Sequence, residues 1–199
     1  MSIKQVLQFA AVVCQNLPEM SGEAMQRHID NPKGLQEILR KAFAIFKTIK
    51  LGTGLKSADD FRQALKKSGM KLGDWASDLL NQSAFKVSSK LIEVDLVTLT
   101  VAELGFEGGA SYSDVCKRGV ELGHDLCQPE HGPQLRLQYK DQPKGEVLYL
   151  AMEAIRDSDG DLNTFAVERL GSGLWLSASY ASPGGFCSAG HRFVFACRK

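Results

Sequence analysis

Apolar positions near the start of the chain recur at the three- and four-residue spacing of amphipathic helices. Such stripes run over residues 3–17, 21–28 and 32–46. Ser21 and Pro32 stand at the starts of the second and third stripes, where helix caps and first-turn prolines are favoured. The pattern predicts three helices in this region.

Residues 57–81 predict two more helices joined by a tight turn. The first opens at Ser57 with Asp60 three residues later, the spacing of a capping box, and ends at Gly69. This outline is that of a helix-turn-helix, but every antiparallel helix pair has the same outline.

After Gln82 the pattern changes to runs rich in β-branched and aromatic residues, beginning with LIEVDLVTLTV. Ser111 with Asp114 predicts one more helix start, and residues 129–139 are ambiguous between helix and strand. From Gly145 onward we predict the strands EVLYLAMEAI, LNTFAVERL, GLWLSASY and HRFVFACR. Short polar turns between them predict an antiparallel meander.

The predicted fold class is therefore α+β in two domains. A helical N-terminal domain would span 1–83. It would be followed by a C-terminal domain over 84–199, with a short-helix region and an antiparallel β-sheet. A chain of 199 residues is long enough to bury such cores without disulfides.

Charge is distributed unevenly along the chain. Residues 1–90 carry 14 Lys/Arg and 8 Asp/Glu, whereas residues 91–199 carry 10 and 15. The basic excess is concentrated in 33–71, so an electrostatic partner of that segment would be an anion. Nucleic-acid binding is thus an alternative function, with phosphate contacts from Lys47, Lys50, Lys56, Arg62, Lys66, Lys67 and Lys71. A solvated basic face explains the same residues.

Cysteine usage bears on the compartment. The five cysteines are an odd and sparse set, unlike a secreted disulfide scaffold: Cys14, Cys116, Cys127, Cys187 and Cys197. The apolar start lacks a small-x-small cleavage site, and no run approaches the roughly 20 apolar residues of a membrane span. We expect reduced thiols, a cytoplasmic location and no membrane association.

Three groups of side chains could hold metal. Asp157, Asp159, Asp161, Asn163 and Glu168 match oxygen-ligand positions of an EF-hand loop, but the glycine, Gly160, comes two positions early and strands flank the loop. A hairpin turn explains the same residues, and we favour a turn over a calcium-binding loop. The second group, His124, Cys127 and His131 with Cys116, offers zinc-type ligands without a CxxC pair, so we favour packing. The same holds for Cys187, His191 and Cys197.

Motifs for catalysis are missing from the sequence. There is no P-loop, no GxGxxG after a strand and no GxSxG elbow. We therefore expect no cofactor, and enzymatic activity lacks support. A metal-dependent hydrolase built on the Asp157 loop or the His124 group is kept as a second alternative.

Aromatic residues near the C-terminus suggest a binding surface. In GLWLSASY, Trp175 points away from the face of Leu174 and Leu176 if the strand is regular. Trp175, Tyr180 and Phe186, around the Gly-rich loop 181–190, would suit a partner. Burial of Trp175 in the core is the competing interpretation.

Several phrases resemble a family of uncharacterised bacterial proteins abundant in uncultured candidate phyla. They include FKTIKLGTGLKSADDFRQALKKSGMKLGDWASDLL, VAELGFEGGASYSDVC, LCQPEHGPQLRLQYKDQP and RFVFACRK, and cover nearly the whole chain. The resemblance implies a bacterial cytosolic protein, and it carries over no established activity, cofactor or catalytic residue. Its members have a Trp near the position of Cys187 and lack histidines at His124 and His131, which argues against a zinc site. The best-supported hypothesis is a non-enzymatic cytoplasmic protein that binds an unknown protein partner.

Overall fold

A computed structural model describes residue 11, residues 21–33 and residues 45–197. The chain divides into two compact units, 1–44 and 45–199. The first unit contains helix α1 (Gly22–Asp30), in the place where the short second helix was predicted. The predicted helices over 3–17 and 32–46 lie almost wholly outside the described residues.

The second unit mixes short helices with a large sheet. Its helices are α2 (Ala58–Lys67), α3 (Asp74–Asn81), α4 (Tyr112–Glu121) and α5 (His131–Gln138). Its strands are β1 (Lys47–Leu51), β2 (Lys71–Leu72), β3 (Ile92–Thr100), β4 (Ala110–Ser111), β5 (His124–Asp125), β6 (Val147–Leu150), β7 (Ile155–Arg156), β8 (Leu162–Leu170), β9 (Gly173–Tyr180), β10 (Phe186–Cys187) and β11 (Arg192–Cys197).

The predicted fold class is wrong. Within residues 45–197, nine strands form one curled mixed sheet with the path β1-β3-β11-β6-β8-β9-β2, and β5 and β7 pair with β11 and β8. Strand β1 lies in the region predicted to be helical and pairs with β3 over its full length. The C-terminal strands are not a meander either, because β11 inserts between β3 and β6 and runs parallel to β6. Pairings this distant in sequence leave no local pattern.

The sheet buries a different apolar cluster on each face. On the inner face, Leu96, Phe165 and Leu176 pack with residues of α2, α3 and α5. On the outer face, Phe193 and Phe195 pack with residues of α4 and its flanking segments. Alternation along β11 sends neighbouring side chains to opposite clusters, as the two-residue period of a strand requires.

Local signals account for helix α2. Ser57 and Asp60 form the capping box, with Ser57 Oγ accepting from the Asp60 N–H at 3.2 Å and Asp60 accepting from the Ser57 N–H at 3.0 Å. At the other end, Gly69 has φ +67° and the Met70 N–H donates to the Leu65 carbonyl at 2.9 Å. These are the bonds of a glycine-terminated helix, so the predicted bounds of this helix are confirmed.

Helix α5 is buried on every side and stabilised by polar side chains. Residues 131–136 are all buried. Just before the helix, the Glu130 carboxylate accepts from the N–H groups of Gly52 and Ser88 at 2.8 and 2.7 Å. Arg136 is fully buried and donates to the Gln142 side chain and to the carbonyls of Tyr139 and Glu168. These bonds tie the helix to three separate loops and strands.

Candidate functional site

A small recess opens on the outer face of the sheet where β6, β8, β9 and β11 meet the segment after β9. Its volume is about 50 Å³, and six of its nine lining side chains carry rings. The lining residues are Tyr112, Tyr149, Thr164, Ser179, Tyr180, Phe186, Cys187, His191 and Phe193. Two of the three residues predicted to bind a partner, Tyr180 and Phe186, therefore lie in one site.

The aromatic mouth of the recess is exposed to solvent. Phe186, at 70%, is the most exposed large apolar side chain described in the second unit. Tyr180, at 62%, is the third most exposed, after Leu91. Below them, Phe193 and Thr164 are almost completely buried. The recess thus has a buried floor and a solvent-facing aromatic rim, formed here by Tyr180 and Phe186.

Phe186 is held in its exposed position by backbone contacts. Strand β10 pairs with β4, placing Phe186 opposite Ser111. The turn just before β10 is anchored at the start of α4, where the N–H groups of Tyr112 and Ser113 donate to the carbonyls of Gly185 and Pro183 at 2.8 and 3.1 Å. These bonds use donors that a helix start otherwise leaves unpaired, so they rigidify the loop that carries the rim.

A glycine makes room for the Phe186 ring. Gly109 has φ +89°, a conformation that favours glycine. A Cβ built there would lie 2.5 Å from Phe186 Cζ and 2.7 Å from the Cys187 carbonyl oxygen. The ring therefore packs directly over the Gly109 backbone.

The floor of the recess has committed and uncommitted polar groups. Thr164 Oγ1 donates to the Leu150 carbonyl at 2.7 Å, and the Tyr112 hydroxyl donates to the Met152 carbonyl at 2.7 Å. The side-chain hydroxyls of Ser179 and Tyr149 form no hydrogen bond with any protein group that the structure describes. These two groups are available to a ligand.

Burial dominates the electrostatics of the recess. It raises the pKa of Tyr112 far above its usual value, and that of Tyr149 to a smaller degree. It also raises the pKa of the Cys187 thiol and raises that of Cys116 to about 11. Both thiols are therefore protonated at neutral pH and are poor nucleophiles.

Trp175 lies on the same face of the sheet but outside the recess. Leu174 and Leu176 pack into the inner cluster, so Trp175 is directed to the outer face, as alternation predicted. Its indole N–H donates to Ser172 Oγ at 3.0 Å, and the Lys71 ammonium lies 5.2 Å from the ring centroid. Trp175 is two alternating positions from Ser179, about 13 Å along the strand.

Most of the basic residues proposed for phosphate contacts have partners within the chain. Lys47 pairs with Asp141 at 3.3 Å and Arg62 with Asp59 at 2.7 Å, while Lys50 lies 3.6 Å from a Glu93 carboxylate oxygen. Lys71 lies over the Trp175 ring as described. The remaining three, Lys56, Lys66 and Lys67, are exposed and form no ion pair within the described ranges. The structure does not gather the seven into one surface of free cations.

The DSDGD segment is the hairpin turn between β7 and β8. Asp157 Oδ1 accepts from the N–H groups of Asp159 and Asp161 at 3.0 and 2.8 Å, and Oδ2 accepts from the Asn163 amide at 2.6 Å. Both carboxylate oxygens thus stabilise the turn. Glu168 lies at the far end of β8, opposite Trp175.

The proposed zinc ligands have separate structural roles. His124 in β5 lies opposite Cys197 in the neighbouring strand β11. The centroid of its ring is 5.9 Å from that of Phe195. His131 Nδ1 bonds to the Gln128 backbone at 2.9 Å, and Cys127 Sγ donates to the Val194 carbonyl at 3.4 Å. Across the described part of the chain, no three His, Cys, Asp or Glu side chains are grouped as a metal site would require.

Sequence reasoning missed most of the recess. Among the missed residues, Tyr149 comes from β6, Phe193 from β11, His191 from the position just before β11, and Tyr112 from the start of α4. The pairing of Phe193 with Tyr149 across two parallel strands brings them together. The only local signal was the alternation that put Phe193 and Phe195 on one face.

No family model, curated protein or solved structure matches the chain. The resemblance to bacterial proteins of candidate phyla therefore stays a prediction. None of the described helices has the length and apolar character needed to cross a lipid bilayer.

Proposed function

We propose that this chain is a non-enzymatic binding protein that engages a protein partner through the recess and its aromatic rim. The observation that carries the proposal is the rigid exposure of Phe186, which remains 70% exposed although its strand, its turn and Gly109 all fix it in place. Rigid aromatic anchors lose little conformational entropy on binding, and they dominate the energetics of interfaces.

The size of the recess supports binding over catalysis. Sites for drug-sized substrates typically occupy about 300–1,000 Å³, whereas this recess measures about 50 Å³. A single side chain or head group would fill it, and the rest of a partner would lie across the rim and the open sheet face toward Trp175. The protonated thiols of Cys116 and Cys187 add no activated nucleophile.

We assign the protein to the cytoplasm as part of the same proposal. Cys116, Cys127, Cys187 and Cys197 are all free thiols in the structure. Free thiols in this number suit a reducing compartment.

A peptide display selection tests the proposed function. Random peptides selected on the wild-type protein are expected to lose at least about tenfold in affinity for the variant carrying Tyr180→Ser and Phe186→Ser, as for removal of interface anchors. The matched control carries Leu122→Ser and Leu170→Ser, which remove apolar side chains 44% and 43% exposed outside the recess.

Two results contradict the proposal. In the first, selected peptides bind the rim variant and the control variant equally well. In the second, the purified protein turns over a small substrate and a single polar-to-alanine substitution abolishes that turnover.

A further inference from the structure

Four rings of the recess lie in contact with one another, although those of Tyr112 and Phe193 are largely buried. Tyr112 and Phe193 have centroids 6.0 Å apart, Phe193 and Tyr149 are 5.5 Å apart, and Tyr149 and His191 are 5.1 Å apart. Tyr180 and Phe186 add two exposed rings to the lining at the mouth. The faces of Tyr and Phe rings carry negative potential and attract cations within about 6 Å of the centroid.

The recess contains no formally charged side chain. Its lining includes no Asp, Glu, Lys or Arg, and none of these residues occurs between positions 170 and 191. An anionic ligand would therefore find no basic partner. A metal ion would lose its water ligands, and a primary ammonium would lose its hydrogen bonds to water. The lining offers no carboxylate in return, only the uncommitted hydroxyls of Ser179 and Tyr149.

A quaternary ammonium group avoids both problems. It has no N–H donors to satisfy, and its methyl groups spread the charge over an apolar surface that ring faces contact well. We infer that the recess binds a quaternary ammonium group, carried by a trimethylated lysine side chain of the partner. This inference rests on the proposed function. The small recess takes the head group, and Tyr180 and Phe186 cover its aliphatic stem.

The minimal test compares a cation with its neutral isostere. Choline and 3,3-dimethylbutan-1-ol differ by a charged nitrogen in place of a carbon, so apolar contact is the same for both. Titrated into the protein labelled with ¹⁵N, both are followed through the amide signals of Ser179 and His191. Choline is expected to bind at least about threefold more tightly, the ratio that a weak cation–π contribution supplies.

Charges placed in the recess sharpen the test. Ser179 lines the recess and is half-buried. Ser179→Glu is expected to strengthen choline binding by about threefold or more, and Ser179→Lys to weaken it similarly, while the neutral alcohol changes little. Ser158→Glu and Ser158→Lys, in the exposed turn after β7, control for net charge. If the Ser179 variants unfold, Tyr180→Leu serves in their place. It removes an exposed ring, so it should weaken the binding of choline but not that of the neutral alcohol.

Each outcome has a defined meaning. Equal affinity for choline and the alcohol, or no binding of either, overturns the inference. If the display peptides still require Tyr180 and Phe186, the proposed function survives that failure. A peptide with trimethyllysine is expected to bind more tightly than choline, and the same peptide with unmodified lysine more weakly. Binding to phosphatidylcholine vesicles but not to the trimethyllysine peptide would contradict the assignment to a protein side chain.

Discussion

The side-chain amide of Gln138 makes two hydrogen bonds to the backbone of Lys50. Its Nε2 donates to the Lys50 carbonyl and its Oε1 accepts from the Lys50 N–H, both at 2.8 Å. Lys50 lies in β1, which pairs with β3 on its other side. Gln138 thus occupies part of a sheet edge that would otherwise be open to another strand.

Replacing Gln138 by Ala is expected to lower the free energy of unfolding by about 1 kcal/mol or more, since the two hydrogen bonds to Lys50 and a third from Nε2 to the Gln134 side chain are lost at a partly solvated edge. Gln138→Glu keeps the acceptor but places a carboxylate oxygen against the Lys50 carbonyl, so it should cost at least as much. Urea denaturation measures both. Lys140→Ala, a nearby exposed substitution, should leave the urea midpoint unchanged, and equal effects of all three variants would disprove the role of the amide.

Gly109→Ala tests whether the Phe186 position depends on a residue without a Cβ. The new methyl group would overlap the Phe186 ring and the Cys187 carbonyl at a left-handed φ, so we expect a loss of about 1–3 kcal/mol in stability. Affinity for display peptides should fall with it. Gly108→Ala is the matched control, because a Cβ there meets nothing within 4 Å. A Gly109 variant with wild-type stability and affinity would refute the packing argument.

Glu130→Gln is expected to destabilise the protein by about 2 kcal/mol or more, as measured by thermal and urea unfolding. The Glu130 carboxylate accepts from Gly52, Ser88 and the Gln134 amide. An amide in its place would turn one acceptor into a donor that faces another donor. Glu153→Gln, which makes the same change on an exposed side chain, should have little effect. Comparable losses in both variants would rule out this explanation.

Stability should decline as pH falls below about 6.5. Burial lowers the pKa of His131 and of His124 in the folded protein. The unfolded chain therefore binds more protons, and the stability present above the unfolded pKa is lost as pH decreases toward the folded values. The loss is up to about 1.4 kcal/mol per pH unit for His131 and smaller for half-buried His124, which solvent screens.

His131→Gln should flatten the dependence of the free energy of unfolding on pH between about 6.5 and 5, whatever its effect at neutral pH. Urea titrations of wild-type and variant proteins at several pH values check this. His124→Gln should flatten it less, because His124 is only half-buried. A wild-type protein with constant stability over this range would contradict the expected proton uptake on unfolding.

Local residue patterns predicted many elements, and for the candidate site they predicted the exposed part. Ser57 with Asp60, and Ser111 with Asp114, start helices α2 and α4 as predicted, because their hydrogen bonds join residues only three apart. Tyr180 and Phe186 were predicted from a strand end and an uncharged Gly-rich loop. The floor of the recess was not, since Tyr149 and Phe193 meet only through the pairing of β6 with β11.

Helix ends, turns and strand alternation could be predicted from the sequence, because they depend on hydrogen bonds and burial among neighbouring residues. The sheet order, the strand at residues 47–51 and the helix at residues 131–138 became evident only in the folded chain. Strand pairing depends on partners far away in the chain. A helix buried on every side, such as α5, has no polar face, and so it lacks the periodicity by which a helix is recognised.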